Sequence, residues 1–316
     1  MLVNGKWAED WHPVQAKDEK GRFLRQPSKF RNWVTADGAP GVTGVGGFKA
    51  VPGRYHVYAA LICPWASRAL LARKLKKLDD TVSVSIVEPF LTDRGWRFGD
   101  YPGSDRDPIN GADFLHQIYT LADPRHTGRA TVPVLWDKVR RTIVNNESAD
   151  IVRILNTAFN DFGDACLDLY PASLRGLIDA LNARLYEGLN NGVYKAGFAS
   201  SQQAYDEAVA GVFETLDELE TRLSDARTYL FGEKINESDL RLFVTLVRFD
   251  AAYYDVFKCN LRRLADYPRL TAYVKRIMGL PGAEETVNID HIKQGYYSIK
   301  ALNPGGIVPA GPLNSL

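Results

Sequence analysis

YHVYAALICPWASRALLARKLKKL, residues 55–78, is the stretch from which the rest of the chain can be read. Tyr55 to Ile62 is a short apolar and aromatic run, a strand. From Pro64 onward, apolar Trp65, Leu70, Leu71, Leu75 and Leu78 recur at helical spacing, which predicts a helix over 64–78. Between strand and helix stands Cys63-Pro64-Trp65-Ala66. Proline is favoured at the first helical position, where its missing N–H costs nothing, so Cys63 becomes the N-cap. Its sulfur is then expected to face open backbone N–H groups and the positive end of the helix dipole. Both favour the thiolate, the species that attacks sulfur. The fourth residue is Ala66, not a second cysteine. A disulfide formed at Cys63 must therefore wait for an external thiol, the pattern of a one-cysteine mechanism fed by a small soluble thiol. The plain alternative is a buried structural cysteine at a strand end. Cys166, in a loop after Gly163, and Cys259, after Phe257-Lys258, lack this setting and are expected to be inert.

Working outward, TVSVSIV (81–87) alternates like a strand, and residues 88–110 form a polar insertion rich in glycine and proline. A helix is expected over Asp113 to Leu121. TVPVLWDKVRRTIV (131–144) reads as a hairpin around Asp137-Lys138, and Asn145-Asn146-Glu147-Ser148 introduces another helix. The order is β-α-β-α-β-β-α, with the last two strands antiparallel. After a loop at 157–172 the chain becomes all helical, with helices predicted over Leu174–Leu189, Ala204–Leu223, Asn236–Phe249 and Leu270–Met278. Asn236, followed by Asp239, has the spacing of a reciprocal helix cap. The class is α/β plus all-α. The expected organisation is an extended arm (1–50), an α/β domain (51–157), a helical domain (172–300) and a Pro- and Gly-rich tail (301–316). Trp7, Trp11, Phe23, Phe30 and Trp33 are the arm's anchors. The glycines of GVTGVGGF (41–48) lack nucleotide-loop spacing and open no helix, so a linker fits better.

Composition removes several function classes. Lys and Arg number 39 against 38 Asp and Glu, a net charge of +1, without the electrostatic footprint of a nucleic-acid binder. RKLKK (73–77) reads as a solvated helix face. No apolar run approaches the ~20 residues that span a bilayer, and MLVNGKWAED lacks the pattern of a signal peptide. Three cysteines in 316 residues argue against a disulfide framework, and the cytoplasm is the default compartment. His12, His56, His116, His126 and His291 are scattered without ligand spacing, so no metal is expected.

In order along the chain stand GRFLRQPSKFRNWV (21–34), CPWA, Gly95-Trp96, ATVPVLWD (130–137) and NNESADIVRILN (145–156). VYKAGFASSQQAY (193–205), RLFVTLVRFDAAYY (241–254), FKCN (257–260) and NPGGIVPAGP (303–312) follow. As a set they resemble the glutathionyl-hydroquinone reductases, the Xi class of the glutathione transferase superfamily, over nearly the whole chain. The resemblance implies a thioredoxin-like N-terminal domain followed by a C-terminal helical-bundle domain, the glutathione transferase fold. It implies glutathione as co-substrate and a homodimer.

It also implies site residues. Val132-Pro133 should be a cis bond, with the Val132 backbone pairing with the cysteine of glutathione. At the N-terminus of a helix, Ser148 can bind the γ-glutamyl carboxylate and Glu147 the γ-glutamyl ammonium. Plain capping by Asn146 or Ser148 is the bland reading, and the two can coexist. The resemblance places Trp96 against glutathione and Arg129 near its glycyl carboxylate. Read locally, Trp96 could simply pack on the domain and Arg129 could be a surface charge. Among the tyrosines of the helical part, Tyr194, Tyr253 and Tyr296 are the candidates to bind hydroquinone hydroxyls and move a proton, with core packing as the alternative. The implied reaction is reductive deglutathionylation through a Cys63–glutathione mixed disulfide. A general thiol transferase or dehydroascorbate reductase of omega type, and a non-catalytic binding module, are the rivals.

Overall fold

In the computed structural model, which describes residues 1–8, 16–225 and 227–312, the chain falls into two units. One comprises Met1–His12 with Pro27–Asp168, the other Pro13–Gln26 with Leu169–Leu316. The arm read from sequence is therefore divided between them rather than forming a body of its own. Its aromatic residues do anchor it. In the first unit the Trp7 ring stacks on His116 at 4.6 Å, Phe30 meets the edge of Tyr119 at 5.7 Å, and the Trp33 indole donates to Thr43 Oγ1 at 3.0 Å. In the second, Phe23 packs on Phe198 at 5.6 Å. Trp11 lies outside the described residues.

The first unit opens with the antiparallel pair β1 (Leu2–Val3) and β2 (Lys6–Trp7), and then builds a mixed sheet. Its elements are β3 (Tyr55–Ala59), α1 (Pro64–Leu75), β4 (Val82–Ile86), the short pair β5 (Leu91–Thr92) and β6 (Gly95–Trp96), α2 (Leu115–Ala122), β7 (Val134–Asp137), β8 (Thr142–Asn145) and α3 (Ser148–Thr157). The sheet order is β4-β3-β7-β8. β3 runs parallel to β4, with Tyr55 opposite Val82, and antiparallel to β7, with Tyr58 opposite Val134. Every residue of β3 is buried, which explains its unbroken apolar run: a central strand covered on both faces has no solvent side to show. The β7–β8 turn is closed by Asp137, fully buried. It takes a bidentate Arg54 (Nε to Oδ1, 3.0 Å) and accepts the Val139 and Arg140 amides. α1 stops at Leu75 rather than Leu78. Lys77 takes a left-handed φ of 54°, and the Leu78 amide turns back to Arg73 O at 3.0 Å.

The second unit is helical: α4 (Arg175–Leu185), α5 (Gly192–Gly197), α6 (Gln202–Arg222), α7 (Glu237–Leu246), α8 (Pro268–Met278) and α9 (Ile289–Tyr297). Asn236 and Asp239 close the reciprocal cap of α7 that their spacing predicts: the Asn236 amide donates to Asp239 Oδ2 at 2.8 Å, and the Ser238 amide to Asn236 Oδ1 at 2.9 Å. Two of the predicted helices do not run regularly to their expected ends. Tyr186–Asn190 and Phe249–Tyr253 are π-turns, in which amides reach back five residues: Asn191 to Tyr186 O (2.9 Å) and Tyr254 to Phe249 O (2.8 Å). Periodicity cannot reveal such a turn, because it inserts one residue into the helical repeat. α5 (six residues) and α9 (nine residues) were not expected from sequence.

Burial pushes the imidazoles of His56 and His116 down to about 4. The unfolded chain takes up protons at these sites near pH 6.5 while the folded chain does not, so stability should rise with pH between those limits. Thermal unfolding followed from pH 7 to pH 5 should show a falling Tm. Each histidine contributes a slope of up to about 1.4 kcal/mol per pH unit. His56→Gln should flatten the dependence.

Candidate active site

Cys63 stands at the N-cap of α1 in extended conformation (φ −80°, ψ 116°), half-buried, with Pro64 as the first helical residue. The Ser67 amide closes the first turn on Cys63 O at 3.0 Å. The side chain closes no cap hydrogen bond. Instead Sγ lies 3.7 Å from Val132 O, as a thiol donating to a carbonyl. The expected orientation toward the amides is thus replaced by one toward β7's approach. A thiol S–H is a weak donor, and the Val132 carbonyl is an acceptor within its reach. Val132-Pro133 is cis.

A buried hydroxyl ties this loop to the start of α3. Tyr119, on α2, donates to Thr131 O at 2.8 Å and accepts from the Thr131 amide at 3.1 Å and from Asn146 Nδ2 at 3.0 Å. One phenol therefore holds the residue before Val132 and the residue before Glu147. At α3 the cap is Glu147, not Asn146 or Ser148. Its Oε1 accepts the Ala149 amide at 3.2 Å, and Oε2 accepts the Ser28 hydroxyl at 3.0 Å. Ser148 is the first helical residue, and its hydroxyl is buried without a hydrogen-bond partner. A buried unpaired hydroxyl at the positive end of a helix is suited to an anion. Trp96 is half-buried in β6 opposite Leu91, and Arg129 is half-buried just after the bridge between Leu2 and Gly128.

The tyrosine candidates lie in the second unit and meet there. Tyr194 Oη is 2.6 Å from Tyr296 Oη, which is 3.0 Å from Tyr253 Oη. Tyr253 and Tyr296 are fully buried, and burial raises both phenols well above their ordinary pKa; Tyr194 is half-buried. Tyr297, next to Tyr296 in the chain, instead donates to Asp255 Oδ2 at 2.9 Å. Of the remaining cysteines, Cys259 is sealed and its thiol is pushed up to about 12 by burial, while Cys166 is exposed. No group of residues suited to hold a metal ion occurs among the described residues.

Tyr119 and Ser28 are the functional candidates that sequence reasoning missed. Tyr119 reads as one more apolar position of a helix. Ser28 lies 119 residues from its partner Glu147, a separation that carries no local signal.

Residues 62–158 match the family model described as glutathione S-transferase, N-terminal domain, and residues 202–276 its C-terminal domain. The chain is 51% identical to the glutathionyl-hydroquinone reductase YqjG of Escherichia coli, covering 100% of this chain and 96% of that protein. It is 49% identical to the glutathionyl-hydroquinone reductase PcpF of Sphingobium chlorophenolicum, covering 100% and 97%. The glutathione-bound structure of YqjG superposes with a TM-score of 0.91 at 48% identity, over 99% of this chain and 96% of that one. The glutathione transferase Xi of Phanerochaete chrysosporium superposes with a TM-score of 0.90 at 45% identity, over 95% and 96%.

Tyr119→Phe removes one hydroxyl but strands the Asn146 amide and both backbone groups of Thr131. It should cost about 1–3 kcal/mol, measured as a lowered denaturant midpoint at unchanged m-value.

Proposed function

The chain belongs to the glutathione transferase superfamily, with the glutathionyl-hydroquinone reductases of its Xi class, and on that premise we propose that Cys63 carries its reaction. The protein uses glutathione to reduce glutathionyl-hydroquinones to hydroquinones. The observation that carries the role of Cys63 is its position: a half-exposed thiol at the N-cap of α1, 3.7 Å from the carbonyl of the residue before a cis-proline.

The chemistry divides into two exchanges at sulfur. The Cys63 thiolate forms an S–S bond to the glutathionyl sulfur of the substrate as the carbon–sulfur bond breaks. The electron pair of that bond goes to the ring carbon, which takes one proton, and hydroquinone leaves. Cys63 is now a mixed disulfide with glutathione. A second glutathione thiolate attacks the glutathionyl sulfur, releasing oxidised glutathione and returning the electron pair to Cys63. The proton shed by that second thiol replaces the one given to carbon, so the cycle balances. With Ala66 where a second cysteine would stand in the motif, the mixed disulfide persists until glutathione arrives.

The neighbouring residues have separate tasks in this reading. Val132 pairs through its backbone with the cysteine of glutathione. A glutathione N–H on Val132 O would displace the Cys63 S–H from its acceptor and favour ionisation at the positive end of the α1 dipole. Ser148 offers its unpaired hydroxyl and its backbone N–H to the γ-glutamyl carboxylate. Glu147, already held as a cap, takes the γ-glutamyl ammonium on its remaining lone pairs. Trp96 packs against glutathione, and Arg129 faces its glycyl carboxylate. Tyr194, Tyr253 and Tyr296 bind the hydroquinone hydroxyls and supply the proton. We extend the reading to a cytoplasmic homodimer on the strength of the family resemblance and the scarcity of cysteine.

Mass spectrometry after exposure to a glutathionyl-hydroquinone without free glutathione should find one glutathionyl unit on the CPWA peptide. Cys63→Ser should abolish turnover, and wild-type activity in that variant would remove the role assigned to Cys63. Ser148→Ala should weaken glutathione binding by about fivefold, the equivalent of one hydrogen bond of about 1 kcal/mol, read by calorimetry on the Cys63→Ala background.

A further inference from the structure

The arm segment assigned to the helical unit is fastened to it residue by residue. The Ser201 hydroxyl donates to Lys20 O at 2.7 Å, and the Ser200 amide to Gly21 O at 3.1 Å. Gly21 has a φ of +79°, and a Cβ there would lie 2.7 Å from Ser200 Oγ, so only glycine allows this approach. Arg22 pairs with Glu207 at 2.7 Å, and Phe23 packs on Phe198. These contacts bring Arg25 over two rings. Its guanidinium carbon lies 4.8 Å from the centroid of Tyr194 and 5.3 Å from that of Phe23, while Nε donates to Asn191 Oδ1 at 2.9 Å, at the start of the helix that carries Tyr194. Phe257 meets the Tyr194 ring edge-on at 5.1 Å.

We propose that Arg25 is a positioning residue that makes Tyr194 the proton donor among the three joined phenols. The inference rests on the reading above, in which those phenols serve the hydroquinone. A phenol that gives up its proton spreads negative charge into its ring, and here the ring faces a guanidinium. Tyr253 and Tyr296 have a different setting. Both are enclosed, and although the charge of buried Arg248 favours their ionisation, burial outweighs it in each. Tyr194 is half-exposed and bonded through Tyr296 to Tyr253, so its phenolate gains a cation on its face and a hydroxyl donor at its oxygen. The proton goes from Tyr194 to the ring carbon. It is replaced by the one released when the second glutathione ionises.

Four variants test this in single-turnover release of hydroquinone from a glutathionyl-hydroquinone: Arg25→Gln, Arg25→Lys, Tyr194→Phe and Arg25→Gln with Tyr194→Phe. Arg25→Gln should slow the step by about tenfold while shifting half-saturation by less than about twofold. Arg25→Lys, which keeps the charge but not the planar stack, should recover part of the rate. Once Tyr194 is phenylalanine, removing Arg25 should cost nothing more, because the two act as one unit. Additive losses in the double variant, or a change confined to half-saturation, would overturn the inference and leave Arg25 a packing residue. If Tyr194→Phe keeps the full rate, the tyrosine reading itself fails, a result separate from loss at Tyr194 without loss at Arg25. Should Arg25→Gln not fold, Arg25→Lys in the presence and absence of Tyr194→Phe gives the same comparison.

Discussion

Pro64 has no N–H to lose, and the helix it begins opens at the turn where Cys63 stands. The position of that turn is set by β3, buried along its whole length, which ends at Ala59 and leaves only a short stretch before the helix. A thiol placed there has two kinds of neighbour: amides that favour its anion and a carbonyl, Val132 O, that accepts its proton-bearing form. A side chain elsewhere on the sheet would have neither neighbour, and the rest of the first unit serves to keep this junction in place.

Tyr119 is the second fixed point. Its hydroxyl joins the loop before Pro133 to the loop before α3, so two segments that sequence separates by a hairpin share one buried oxygen. Glu147 and Ser148 then divide the helix opening between them. The carboxylate satisfies an amide of the first turn and holds Ser28, while the neighbouring hydroxyl stays unspent. The residue that caps the helix, Glu147, is thus not the one whose hydroxyl is left over, Ser148.

In the helical unit, desolvation governs. The enclosed phenols of Tyr253 and Tyr296 must bond to something, and they bond to each other and, through Tyr296, to half-exposed Tyr194. The π-turns contribute to this. An inserted residue re-phases the face of the helix after it, and one such turn ends at Tyr253 while the other precedes the short helix of Tyr194. Much of the layout was legible beforehand. The alternation of 81–87, the proline after Cys63 and the Asn236–Asp239 spacing each express a local rule, and each produced its element. The π-turns, the early end of α1 at Leu75 and the short α5 and α9 were not legible, since each depends on packing that overrides a weak period.

By itself the sequence determined the order of the main sheet strands and the helices between them, the single cysteine at a helix opening and the absence of a resolving partner in its motif, because these follow from neighbours within a few residues. It also carried the family resemblance, which supplied candidate residues without their partners. Tertiary structure alone decided that the Cys63 sulfur turns to Val132, that Glu147 rather than its neighbours is the cap, that three tyrosines 43 to 102 residues apart share their hydroxyls, and that Arg25 rests on one of them. Those facts are choices of partner between groups distant in the chain. Hydrogen bonds and charges act through space over a few ångströms, and a sequence does not contain that distance.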